Sequence, residues 1–214
     1  AHVIFSGQIR PRRLFRGLRP DLRLLRILRK LSIRNAETIF SAIAEEFEKE
    51  GIHVLPCTTY MEHAVPKAGV LGKKSPKRKQ WRDIQLGITL AREVSRLNIG
   101  QSVVVKHGTV LAVEGFEGTD RTILRGGELG QYRELCVAKT AKENPASRFD
   151  VPCIGLGTVQ SLKQAKACVL ALQAHNTLIL NRSEVVRALD QENIACVAVD
   201  MASGYPLSEP PNLL

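Results

Sequence analysis

The chain predicts an α/β protein: two α/β domains joined by a basic linker, with the N-terminal domain read as incomplete. Three observations carry that expectation. Runs rich in β-branched residues, such as Ser102-Val-Val-Val-Lys106 and Ala195 to Val199, have the length of buried strands. Amphipathic stretches alternate with them, for example 83–97, where Ile84, Ile88, Ala91 and Val94 share one helical face. A segment mixing Pro66, Gly69, Gly72 and Pro76 with Lys73, Lys74, Lys77, Arg78 and Lys79 interrupts the pattern. The expected layout is an N-terminal domain over 1–65, a linker over 66–80, a C-terminal domain over 81–202 and an irregular tail over 203–214.

Each element has its own signal. His2 to Phe5 reads as a strand with nothing before it to pair with, which raises the expectation of missing upstream sequence or of a partner strand from another chain. Pro20-Asp21 marks a helix start, with Leu18, Leu22, Leu25 and Leu28 at helical spacing and Arg19, Arg23, Arg26, Arg29 and Lys30 on the other faces. Asn35 is placed to cap a helix through Glu50 that carries Ile39, Ile43 and Phe47 and stops at Gly51. Ile52 to Pro56 is a short strand. His107-Gly108 between two apolar runs is a hairpin turn joining 102–106 to 109–113. A helix over 121–130, a strand over 134–139, a helix from Thr158 to Ala167 and a helix from Ser183 to Asn193 follow, with a last strand at 195–199. Cys168 to Leu172 and Thr177 to Leu180 read as a second hairpin around His175-Asn176.

Composition narrows the class. At 44% hydrophobic residues the chain has enough apolar material for a core, which excludes a disordered protein. No run reaches the ~18 to 20 apolar residues that span a bilayer. The five cysteines are odd in number, scattered and without a C-x-x-C pair, so the reading is a reduced, cytoplasmic protein with no zinc site. The net charge of +10 is concentrated: residues 1–34 hold ten Lys or Arg against one acid, Asp21. A neutral body with one basic segment points to a localised anionic partner: an acidic membrane face, a ligand phosphate or, less well, nucleic acid. The basic segment's stretch from Arg10 to Leu31 has one aromatic, Phe15, so it lacks a base-stacking platform.

The sharpest local signal is Val110-Leu-Ala-Val-Glu-Gly-Phe-Glu-Gly-Thr-Asp120, a strand feeding a glycine-rich acidic turn and then a helix that Thr119 or Asp120 could cap. It gathers three carboxylates, Glu114, Glu117 and Asp120. A second polar segment, with Lys139, Lys142, Arg148 and Asp150, begins where another strand ends. Ligands of α/β sheets collect at strand ends, so both could face one crevice. Cations there would neutralise phosphate oxygens while carboxylates hold a divalent metal or orient a water. Plain surface charges and a Lys139–Asp150 salt bridge are the bland alternatives. No Walker A loop, G-x-G-x-x-G, G-x-S-x-G or histidine metal pattern is present. The residues alone lead to a phosphate-handling α/β protein and leave hydrolysis open.

The block at 110–120, with Arg125 after it, resembles the V-x-x-V-E-x-x-E-G-T-D block of the LpxI family, the UDP-2,3-diacylglucosamine pyrophosphatases of lipid A biosynthesis. Lys139-Thr-Ala-Lys142 and Arg148-Phe-Asp-Val-Pro-Cys-Ile-Gly155 resemble that family's K-x-x-K and R-x-D-x-P-x-x-G. Gly7 to Pro11, Leu18 to Asp21 and Gly69 to Gly72 fit as well. The resemblance implies hydrolysis of UDP-2,3-diacylglucosamine to UMP and lipid X, two domains closing on substrate, and magnesium or another divalent metal. It assigns Asp150 as metal ligand or water-orienting base, and Glu114, Glu117 and Asp120 as metal or ribose contacts. Lys139, Lys142 and Arg148 would hold the diphosphate, with Thr119 and Arg125 as further substrate contacts. It also implies a cytoplasmic protein peripheral on the inner membrane, with an anionic membrane surface as partner and room for a homodimer; nucleic acid is the weaker expectation. The family's pattern has Gln-Asp where this chain has Pro145-Ala146, and its opening glycine-rich strand–turn–helix does not precede Ala1. A member that binds without turnover is therefore the alternative.

Overall fold

The computed structural model describes residues 1–5, 21–31, 36–141 and 151–201. Lys142, Arg148, Asp150, the Pro145-Ala146 pair, the Asn35 cap, the blocks at 7–11 and 18–20 and the 203–214 tail lie outside them. Strand β1 (His2–Ile4) finds its partner in the same chain: it runs parallel to β2 (His53–Leu55), with Val3 opposite Val54. Two helices make the crossover. In α1 (Leu22–Lys30), the Asp21 carboxylate caps the first turn by accepting from the Leu24 N–H at 2.7 Å. The second helix, α2 (Ala36–Lys49), stops at Gly51 as its sequence implies. Phe5 packs edge-on against Phe40 and Phe47, with ring centroids 6.2 and 5.7 Å apart. Residues Ala1–Tyr60 form one compact unit, and the described residues from Met61 onward form another.

The larger unit is α/β, as the sequence predicts. Its sheet contains β3 (Gly69–Val70), β4 (Ser102–Lys106), β5 (Thr109–Val113), β6 (Leu135–Lys139), β8 (Ala167–Gln173) and β10 (Ala195–Val199), in the order β3-β10-β8-β6-β4-β5. The centre, β10-β8-β6, is parallel; β3 joins one side antiparallel and the β4–β5 hairpin the other. Helix α3 (Arg78–Arg96) covers one face through Ile84, Ile88 and Ala91. Helices α4 (Thr119–Leu129), α5 (Leu156–Gln164) and α6 (Arg182–Gln191) cover the other, around Val104, Val137, Leu170 and Cys196. The central strands are apolar at nearly every position because both of their faces are buried.

Two local expectations change. The stretch 66–80, read as a linker, supplies the edge strand β3 and the start of α3, and both side chains and backbone tie it into the unit. Lys74 donates to the Asn193 carbonyl, Lys79 pairs with Glu134, and the Lys73 N–H donates to Asp190 at 2.8 Å. Helix α3 begins five residues before Asp83 because the Gln80 side chain accepts the Lys77 N–H at 2.6 Å, closing a turn whose basic residues carry no apolar period. The second expected hairpin is absent. Strand β8 is the middle of the parallel sheet, while β9 (Leu178–Ile179) leaves it to pair in parallel with β7 (Cys153–Ile154).

The first hairpin forms as expected. His107 (φ 48°) and Gly108 (φ 76°) both take the left-handed region that a two-residue turn of this kind demands. Asp83, 4% exposed, accepts from both turn amides at 2.8 and 2.7 Å, fastening the hairpin to α3.

Candidate functional site

The parallel strands β6, β8 and β10 all run toward one end of the sheet, and the chemistry collects there at the end of β6. Ser102 and Lys139 are register partners on neighbouring strands, and both sit on the face covered by α4. Lys139 is 4% exposed, so its ammonium must be held by polar groups. It donates to Thr119 Oγ1 at 2.7 Å and approaches Ser102 Oγ at 3.4 Å. The Thr119 hydroxyl in turn lies 3.1 Å from both Glu114 carboxylate oxygens and donates there. Glu114 Oε2 is 3.9 Å from Lys139 Nζ, with side-chain exposures of 12% and 5%. One hydroxyl thus sits between a buried cation and a half-buried carboxylate.

Backbone geometry places Glu114. Its N–H donates to the Ser102 carbonyl at 2.8 Å, extending the hairpin ladder by one residue. A Cβ on Gly100 would lie 2.2 Å from the Glu114 carbonyl oxygen, so this approach of two backbones requires glycine. Gly118 is the N-cap of α4, and Thr119 faces Lys139 and Glu114 rather than capping.

The other predicted residues divide. Glu117 and Arg125 form their own pair at 2.5 Å, and the same guanidinium donates to the Val113 carbonyl at 2.9 Å. The Gly115 N–H and the Thr122 hydroxyl complete the cradle at 3.2 and 3.3 Å. The Glu117 carboxyl is held below its usual range by its own backbone amide first and by Arg125 next, with Gly115 adding to both. Arg125 therefore braces the turn. Asp120 is exposed in the first turn of α4. Glu114, Glu117 and Asp120 accordingly do not converge as a ligand set, and no group of three His, Cys, Asp or Glu suited to a metal occurs among the described residues. The carboxylates were read together because they are close in sequence, but the turn separates their side chains.

Sequence reasoning missed Ser102, Gly100 and Gln173. Ser102 is a small polar residue at the buried start of a strand that continues Val-Val-Val, a legible signal. The buried Gln173 accepts the Ala141 N–H at 2.8 Å and so fixes the backbone one residue before Lys142; only the strand register reveals it. His107, 56% exposed at its side chain, meets Glu134 at 3.1 Å and takes no part in the cluster.

A buried lysine beside a half-buried hydroxyl and carboxylate, at the carboxyl end of the parallel core of a mixed sheet, marks an α/β protein whose fixed ammonium stands where such sheets carry their ligands. Residues 67–197 match the LpxI C-terminal domain, and residues 1–64 match the LpxI N-terminal domain. The chain is also 33% identical over 209 residues to the UDP-2,3-diacylglucosamine pyrophosphatase LpxI of Caulobacter vibrioides, covering 92% of this chain and 74% of that relative. The chain belongs to the LpxI family.

Proposed function

We propose that this protein hydrolyses the pyrophosphate bond of UDP-2,3-diacylglucosamine in lipid A biosynthesis, water entering and UMP and 2,3-diacylglucosamine 1-phosphate (lipid X) leaving. The observation that carries the reading is Lys139, buried at the end of β6 and held 2.7 Å from Thr119. A fixed ammonium in a dry corner stabilises charge on a phosphate oxygen far better than a solvated one does, because it needs no reorganisation as the P–O bond breaks. The Thr119 hydroxyl orients Lys139, and Glu114 balances its charge when the site is empty. Lys142 and Arg148, close along the chain, would add cations to the diphosphate, and Asp150 would orient the attacking water.

Dependence on magnesium or another divalent ion belongs to this proposal. Bound to Asp150 and the diphosphate, such an ion would neutralise charge on the phosphate oxygens. Glu114 and Glu117 are engaged with Thr119 and Arg125, so the proposal does not rest on them as ligands. A cytoplasmic enzyme, peripheral on the inner membrane of a Gram-negative cell and open to pairing as a homodimer, completes the reading. No helix among the described residues is long and apolar enough to cross a membrane. The test is UMP release from UDP-2,3-diacylglucosamine with and without magnesium, in the wild type and in Asp150→Ala. An unchanged rate in the variant removes Asp150 from the mechanism. Saturable substrate binding with no UMP supports the alternative that Pro145-Ala146 favours, a member that binds without turnover.

A further inference from the structure

Helix α1 has two faces, and the second is not used by the fold. At about 3.6 residues per turn, Leu24, Ile27 and Leu28 share one side. They are half-buried, on the side that packs toward α2. Arg23, at the border, is tied to α2 through Glu50 at 2.6 Å and Glu46 at 3.5 Å. The opposite side presents Leu22, Leu25, Arg26 and Arg29, with Lys30 flanking them. Leu22 is 83% exposed and Leu25 37%, and the three cations are exposed as well. Among the described residues, no ion pair engages Arg26, Arg29 or Lys30. The helix contains no acidic residue, and the nearest one, Asp21, is committed to its N-cap.

We infer that this outer face of α1 docks the protein on an anionic lipid surface. Two observations point to lipid in particular. Cations alone would suit any polyanion, but an apolar ridge at Leu22 and Leu25 between arginines matches an interface where aliphatic groups enter the acyl boundary and long basic side chains reach back to headgroups. A nucleic acid offers phosphates to the cations and nothing to two exposed leucines, and α1 has no aromatic residue on which a base could stack. The inner face is already occupied by α2, so docking requires no unfolding. The inference rests on the proposed function only in that the substrate carries two acyl chains and so resides at such a surface.

The experiment is sedimentation of the full chain with phosphatidylcholine vesicles containing either no phosphatidylglycerol or roughly 30%. Each cation near an anionic surface contributes roughly a fivefold change in partitioning. Replacing Arg26, Arg29 and Lys30 together by Gln should therefore weaken binding to the anionic vesicles about 100-fold and flatten its salt dependence. Leu22→Ser with Leu25→Ser should weaken it about tenfold while leaving the salt dependence unchanged. Arg26→Lys with Arg29→Lys should bind as the wild type does, and far-UV circular dichroism confirms that each variant is folded. Equal binding of the wild type to both vesicle types overturns the inference. So does a triple glutamine variant that binds like the wild type, or a DNA oligonucleotide that displaces the vesicles through the same residues. UMP release from detergent-dispersed substrate separates the two proposals: docking without UMP release counts against the enzymatic reading alone, and UMP release without lipid preference against this one alone.

Discussion

Thr119→Val tests the centre of the site because it keeps shape and removes one oxygen. The hydroxyl accepts from Lys139 at 2.7 Å and donates to Glu114 at 3.1 Å. Hydrogen bonds to charged groups contribute roughly 1.5–3 kcal/mol each, and removing both would cost about 3–6 kcal/mol if they were independent. They are not: Lys139 and Glu114, 3.9 Å apart, can close on each other, and the new methyl adds about 0.8 kcal/mol of burial. The expected net loss is about 2 kcal/mol, roughly a 30-fold fall in the folded-to-unfolded ratio. With a urea slope of about 2 kcal/mol/M, the midpoint moves down by about 1 M. Trp81, the single tryptophan, lies on α3 in the same unit, so its fluorescence follows the relevant transition. Under the proposed function, kcat/KM for UMP release should fall at least tenfold, and Thr119→Ser should retain most of both properties. A valine variant with wild-type midpoint and wild-type kcat/KM would sink the idea that this hydroxyl organises the site.

Gly100→Ala should move Glu114, because its Cβ would meet the Glu114 carbonyl oxygen at 2.2 Å and a backbone atom cannot rotate aside. The expected cost is about 1–3 kcal/mol with a larger loss of UMP release, and an alanine variant that keeps full stability and rate contradicts the close approach. Because the folded-state pKa of Glu117 is lowered, its stabilisation is present above its unfolded value of about 4.3 and is lost as pH falls through the folded value. Arg125→Gln should therefore narrow its stability deficit in urea titrations as pH drops from 7 to about 3, and a deficit independent of pH refutes the pairing. Burial pushes the Cys196 thiol up to about 12 and raises that of Cys136 well above its usual range, whereas Cys153 is exposed. A thiol reagent near neutral pH should modify Cys153 in the folded protein and reach Cys136 and Cys196 only on unfolding. Peptide mapping that finds Cys196 modified as fast as Cys153 contradicts the core assignment.

What was legible in the chain follows the range of the forces involved. The hairpin at His107-Gly108, the helix start at Asp21 and the Gly51 stop are written within a few residues of where they act, and each was read in place. The early start of α3 was hidden because basic side chains in a solvated first turn leave no apolar period. The supposed hairpin at 168–180 failed for the opposite reason: two apolar runs around a turn look the same whether the strands pair with each other or with distant partners. Only the burial of both faces of β8 decides for distant partners, and that is a property of the assembled sheet.

The candidate site divides along the same line. Glu114, Thr119 and Lys139 were each singled out from sequence, yet they were expected in separate roles: metal, substrate and diphosphate contacts. The fold joins them because β4 lies between β5 and β6, bringing the end of the hairpin beside the end of a strand some twenty residues later. Ser102 enters through the same pairing, as the register partner of Lys139. Glu117, three residues from Glu114, is turned away into the Arg125 cradle by the very turn that made the motif recognisable. Nearness in sequence therefore overstated the acidic group and understated the cation. The buried Lys139, supported by Thr119, is the feature whose placement the fold works hardest to secure, and it is where loss of a single hydroxyl should be felt in both stability and turnover.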